Sequence, residues 1–129
     1  MNAYIMVTGG RDAKDYNQVA RQLGIAIKDL TDKGNRNITV LTGSAIGAGG
    51  MAIEFCNKVE TSLAARGIDL RTKPYYAAYS RRGEEETVDL LDPTRDIMLA
   101  FPTPSSKNVW STVKYAKSKG ISPRIFKEL

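Results

Sequence analysis

The stretch from Tyr4 to Asp12 reads YIMVTGGRD, a run of apolar and β-favouring residues that stops abruptly at two glycines, an arginine and an aspartate. A short continuous apolar run is the pattern of a strand buried on both faces of a parallel sheet. The turn after such a strand lies at its carboxyl end, where open α/β sheets bind ligands. Gly9 and Gly10 let the backbone turn tightly and leave room for a ligand to approach. Arg11 adds a rigid cationic fork suited to phosphate or carboxylate. An ordinary strand-to-helix turn, with a surface arginine and a helix-capping aspartate, would use the same residues, so the rest of the chain has to decide.

Outward from this turn, the chain alternates strands and helices. Val19, Leu23, Ile27 and Leu30 recur at helical spacing, with Asp15 placed to cap the start and Gly34 to close the end, which predicts a helix from Asp15 to Lys33. Residues Asn37 to Thr42 (NITVLT) form a second strand that ends in the glycine-bearing turn Gly43 to Gly50. Ala52, Phe55, Cys56, Val59 and Leu63 mark one face of the next helix, closed at Gly67. Ile68 to Thr72 alternates apolar and polar residues as a peripheral third strand, and Lys73 to Ser80 reads as a loop. Glu84, Glu85 and Glu86 open a short helix, where carboxylates complement the positive dipole end, and Asp92-Pro93 ends it. Asp96 to Phe101 is a fourth, central strand. The loop Pro102 to Ser106 leads into a helix carrying Val109, Val113 and Ala116 and closed by Gly120. Ile121 to Phe126 is a last strand, and Pro123 inside it argues for a sheet edge.

This order predicts a single α/β domain over residues 1–129, a mostly parallel five-stranded sheet with helices on both faces. Right-handed crossovers put every strand-to-helix loop at the same end of the sheet. Thr8–Asp12, Thr42–Gly50, Pro74–Arg82 and Phe101–Lys107 should therefore share one rim. Glycines, hydroxyls and helix starts just downstream make that rim suited to anions, which favours the ligand-site reading of the GGRD turn.

Composition narrows the chemistry. The chain has no histidine and one cysteine, so an internal disulfide, a histidine-based triad and a zinc site are excluded. Cys56 falls within an apolar stripe as an inert core residue. A lone cysteine agrees with a reducing, cytoplasmic setting. The start MNAYIMV lacks a signal peptide's basic flank, and no apolar run approaches a membrane span. Lys107 to Leu129 holds six Lys/Arg and one acidic residue, which accounts for the whole net charge of +5. That segment suits nucleic acid or an anionic ligand, or is a solvated helix face.

The VTGGRD stretch, the TGSAIGAGGMA turn opening the second helix, an arginine-bearing segment and DIMLAFP together resemble the SLOG superfamily, in particular its small YspA/YpsA-related bacterial and phage group. The resemblance covers nearly the whole chain and implies a Rossmann-like fold. It also implies either binding of nucleotides and nucleotide-derived ligands, or N-glycosidic cleavage like that of the cytokinin-activating phosphoribohydrolases, often in a homo-oligomer. The chain departs from the family in its second turn, where a GGARGAD pattern is replaced by Gly43 to Gly49 without the aspartate. PGGxGT after the fourth strand is replaced by Pro102 to Lys107, which substitutes hydroxyls and prolines for glycines. The phosphoribohydrolase glutamate that follows that motif has no counterpart near Asn108 to Thr112, and Arg81 or Arg82 matches the family's phosphate-binding arginine only loosely.

The leading expectation is a binding protein for a phosphate-bearing small molecule such as an ADP-ribose relative, with no cofactor required and no metal. Thr8, Gly9, Gly10, Arg11, Ser44, Gly47, Gly49, Arg82, Thr103, Ser105 and Ser106 would meet the ligand, and Tyr75, Tyr76 or Tyr79 could stack on a base. The alternative is an N-glycosidase or phosphoribohydrolase-like nucleotide hydrolase, which needs a carboxylate at the rim; Asp12, Glu54 and Glu84 are the candidates. Asp12 serves equally as a loop brace. The third reading is a DNA-processing accessory protein that uses the basic C-terminal segment.

Overall fold

Along the chain run β1 (Asn2–Gly9), α1 (Tyr16–Asp32), β2 (Asn37–Thr42), α2 (Gly47–Ala65), β3 (Asp69–Pro74), α3 (Arg81–Asp89), β4 (Ile97–Phe101), α4 (Lys107–Ser118) and β5 (Arg124–Ile125). The computed structural model describes residues 2–43, 46–75 and 81–128, with positions 81 and 82 as backbone only. The strands form one sheet in the order β3-β2-β1-β4-β5, and every pairing is parallel rather than mostly so. The apolar runs of β1 and β4 lie side by side in the middle, and all five residues of β4 are buried.

The sheet's alternation divides the core. Ile5, Val7, Val40 and Leu99 point to one face, where they pack with Val19, Leu23 and Leu30 of α1 and Ala48, Ala52 and Cys56 of α2. Met6, Leu41, Met98 and Ala100 point to the other, against Val88, Val109, Val113 and Ala116 of α3 and α4. Each large side chain fully buried in this way stabilises the fold by roughly 1.5–3 kcal/mol. The helix ends follow the sequence signals: Asp15 caps α1 by accepting from Gln18 N at 3.0 Å, and Gly34, Gly67 and Gly120 hold left-handed φ just past three helices. No helix among the described residues is long and apolar enough to cross a membrane.

Several boundaries differ from the sequence reading, three of them by two residues or more. β3 runs on to Pro74 because it pairs with β2 as far as Thr42, and Tyr75 N donates to Thr42 O at 2.8 Å. The proline is tolerated because β3 is an edge strand. α3 ends at Asp89, three residues short of Asp92. The last strand shrinks from Ile121–Phe126 to Arg124–Ile125, since Ile121 N is taken by Ala116 O in the α4 C-cap and Pro123 has no N–H to donate.

The strand order reverses between β1 and β4: from β1 the chain steps outward to β2 and β3, then returns to β4 on the other side. The loops leaving β1 and β4 thus depart to opposite faces and leave a crevice at their carboxyl ends.

Candidate functional site

That crevice is a cleft with a cavity volume of about 390 Å³, within the range of small-molecule sites. The β1 turn contributes Thr8, Gly9, Gly10, Arg11 and Asp12, and the turn after β2 contributes Gly43, Ile46 and Gly49. Ser105, Ser106, Lys107, Asn108 and Val109 come from the loop after β4 and the start of α4, and Tyr75 and Glu84 from the segments after β3. Four strand ends therefore meet at one rim. Thr103 and Gly47 do not line the cleft, although both were expected to meet the ligand. Ser44, Tyr76, Tyr79 and the side chain of Arg82 lie outside the described residues. Glu54 is also away from the cleft, in an exposed i,i+4 pair with Lys58 at 3.4 Å.

On one side of the cleft the loops after β1 and β4 are clasped together. Thr103 Oγ1 donates to Asp12 Oδ1 at 2.7 Å and Ser105 Oγ donates to Asp12 Oδ2 at 2.8 Å. Ser106 Oγ accepts from Thr103 N at 2.8 Å. These hydroxyls, Thr103 first, hold the Asp12 carboxyl below the usual carboxylate range. The hydroxyls expected to donate to phosphate thus already hold the protein together. Thr103 is buried behind the clasp.

The glycines also serve this packing. A Cβ on Gly10 would lie 2.6 Å from Ser106 Oγ, 2.8 Å from Thr103 Oγ1 and 2.9 Å from Asp12 Oδ1. One on Gly9 would run into the Cβ of Ala48 on α2. Neither residue has positive φ, so their role here is close approach between elements rather than a left-handed turn. Gly47 does have positive φ, +62°, and a Cβ there would collide with the carbonyl of Gly10 and the backbone of Arg11. Gly10 O in turn accepts from Ala13 N and Ala48 N, tying the turn to the start of α2.

Phe126 and Glu128 brace the same turn. Phe126 N and Glu128 N donate to Ala100 O and Pro102 O, and Phe126 stacks on Phe101 with ring centroids 5.7 Å apart. The Glu128 carboxylate then accepts from Lys14 N at 2.8 Å and Asp15 N at 3.2 Å.

A second carboxyl group, Glu84, reaches the cleft from α3. Thr8 Oγ1 donates to its Oε1 at 3.3 Å, and Thr112 Oγ1 on α4 is hydrogen-bonded to its Oε2. Burial pushes the Glu84 carboxyl up, and the Thr112 and Thr8 hydroxyls offset only part of that effect. Tyr75 lies alongside, with its hydroxyl donating to Val7 O at 3.0 Å and its ring against Gly43. Burial first, then the charge of Glu84, raises the Tyr75 phenol. The tyrosine thus acts as a wall of the cleft, with its hydroxyl committed to the β1 backbone. Cys56, by contrast, is buried in the core with its thiol pushed up to about 12, which makes it a packing residue.

The sequence reading gives Glu84 as a dipole-complementing residue and a candidate carboxylate, and does not single out Thr112. A signal for both was present. Glu84, Val88 and Leu91 follow i, i+4, i+7 spacing, and Thr112 sits within the Val109–Val113–Ala116 stripe. Each is a polar residue on the buried stripe of its helix, and the packing of α3 on α4 brings them together. Among the described residues no group of histidine, cysteine, aspartate and glutamate could hold a metal ion. No protein-family model, curated protein or solved structure matches this chain.

Proposed function

We propose that the cleft binds a nucleotide or nucleotide-derived ligand of the ADP-ribose type. The observation that carries this reading is the convergence of the β1, β2 and β4 loops at the point where strand order reverses, with Arg11 and Lys107 on the cleft lining. Crevices of this kind take phosphate-bearing ligands because helix N-termini and cationic side chains meet there. The resemblance of VTGGRD to the SLOG superfamily supports the same assignment, and with it a cytoplasmic homo-oligomer. The C-terminal cations favour a nucleic-acid surface less. Arg124 pairs with Asp29 at 2.8 Å, and Lys119 and Lys127 lie over the rings of Tyr115 and Trp110.

A thermal-shift and native mass-spectrometry screen with AMP, NAD and ADP-ribose tests the reading, and failure of the whole panel to bind would sink it. Arg11→Ala should weaken the binding of the best ligand by about 1.5–3 kcal/mol, the worth of a charge-assisted hydrogen bond. An unchanged affinity would remove Arg11 from the site. A second reading, hydrolysis of an N-glycosidic bond, gains support from Glu84, which supplies a half-buried carboxyl to the cleft. Release of free base from the same panel, read by chromatography, separates the two.

A further inference from the structure

We propose that the Glu84 carboxyl takes up the anionic ligand in its protonated form, so that each binding event draws one proton from solution onto Glu84. The inference rests on the binding function proposed above and adds a residue and a ligand chemistry to it. Glu84 bonds Thr8, the residue immediately before the glycine turn, and so sits beside the place where the anion would lie. An ionised carboxylate there repels a phosphate, whereas a neutral one donates a strong O–H···O⁻ bond to it.

The Thr112 hydroxyl, which donates to Glu84, has a second acceptor in reach. Thr112 Oγ1 is within bonding distance of both Glu84 Oε2 and, at 3.1 Å, the carbonyl of Asn108. A hydroxyl has a single proton. When Thr112 turns its proton to Asn108 O, the usual back-bond of a helical threonine, it leaves Glu84 Oε2 free to carry the proton taken up with the ligand and to donate it to the anion. The Thr8 hydroxyl donates to Glu84 Oε1 over a longer distance, 3.3 Å. Burial of the carboxyl favours the same neutral form.

Among the described residues, the other charged or titratable groups on the cleft are Arg11 and Asp12 from the β1 turn, Tyr75 after β3 and Lys107 at the start of α4. Glu85 and Glu86 adjoin Glu84 on α3. Asp12 is held below the usual carboxylate range and Tyr75 above the usual phenol range, so neither competes for the proton.

ADP-ribose is the probe, because its pyrophosphate diester has no proton that titrates near neutrality. A phosphate monoester ionises a second time near about pH 6 and would confuse the reading. Calorimetric titration of the full chain in two buffers of different ionisation enthalpy measures proton uptake directly. At pH values above the Glu84 midpoint, uptake should approach about one proton per ADP-ribose. The affinity should then tighten by about tenfold for each pH unit lowered toward that midpoint. Glu84→Gln, neutral at every pH and still a donor, should bind without proton uptake and without that slope. Carboxyl NMR of the wild-type protein keeps the test open if the variant fails to fold: added ADP-ribose must raise the Glu84 midpoint. Binding without proton uptake, an unmoved Glu84 midpoint, or uptake that survives in Glu84→Gln would overturn this inference and leave the binding function standing. If ADP-ribose does not bind, this inference falls; the binding function falls only if AMP and NAD fail as well.

Discussion

Asp12 and Glu84 line the same cleft, yet their surroundings treat them oppositely. Asp12 is exposed and accepts hydroxyl protons from Thr103 and Ser105, which favour its charge and lower its pKa. Glu84 is half-buried, and the two hydroxyls that donate to it offset only part of the burial, so its pKa rises. The first group clasps two loops with a fixed charge. The second is a carboxyl on the cleft wall whose surroundings disfavour its charge. When neighbouring carboxyls are driven apart in this way, their roles can be assigned from environment rather than from residue type. The distance of each from the glycine turn would not have separated them, since Asp12 lies in it and Glu84 bonds the residue just before it.

The largest expected effect strikes the clasped side. Gly47→Ala forces a side chain onto a left-handed backbone and against the Gly10 carbonyl and the Arg11 backbone. Strain of about 1–2 kcal/mol for the conformation adds to roughly 1–3 kcal/mol for overpacking. Denaturant unfolding should register a loss of about 2–5 kcal/mol. Gly67→Ala shares the left-handed φ but faces open space, so it should cost only the conformational part, about 1–2 kcal/mol. Equal losses in the two variants would mean that the turn yields freely, and the picture of a rigid clasp would fail.

Glu84→Gln probes the buried side without any ligand. The folded pKa of Glu84 lies above its ordinary value of 4.5, so the folded state holds more protons than the unfolded chain between those two values. Wild-type stability should therefore decline as pH rises through that window, and above it the folded protein carries the full cost of an ionised, half-buried carboxyl. Glutamine has no such ionisation. The stability of Glu84→Gln relative to wild type should climb across the window and level off beyond it, as read by urea unfolding at a series of pH values. A difference that stays flat with pH would remove the contrast between Glu84 and Asp12.

The same contrast separates what the sequence discloses from what it conceals. The runs YIMV, NITVLT and IMLAF read directly as inner strands, and right-handed crossovers then dictated a shared rim at which Thr8–Asp12 and Ser105–Lys107 meet. Asp12 could be read as a brace because it follows its strand closely and the loop after β4 is rich in hydroxyls. The orientation of Glu84 was harder to see. Three consecutive glutamates look alike, and α3 has only nine residues, too few for its periodicity to single one out without Val88 and Leu91. Thr112 had no partner in the sequence until α3 packed on α4. The glycines carry a second role that their spacing did not show: Gly9 and Gly10 line the cleft, and the space a side chain on them would need is filled by Ala48, Ser106 and Thr103. Sequence spacing shows where the backbone comes close, but not what occupies the gap.

The smallest effect is expected at Asp12. Asn keeps the size of the side chain and an acceptor for Thr103, and its amide can donate to Ser105 in place of the lost acceptance. The clasp should survive Asp12→Asn with its charge removed. Because the folded pKa of Asp12 is depressed, the stability linked to its charge is present above the ordinary aspartate value of 3.8 and lost as pH falls through the depressed one. Wild type and Asp12→Asn should therefore differ slightly at neutral pH and converge in acid, the reverse of the trend expected for Glu84→Gln. Affinity for ADP-ribose should stay within a few-fold, since in the clasp Asp12 faces hydroxyls of the protein. Calorimetric titration of the variant checks this. A collapse of binding, or a turnover reaction that the substitution abolishes, would move Asp12 from the frame of the cleft into its chemistry and leave Glu84 as the supporting group.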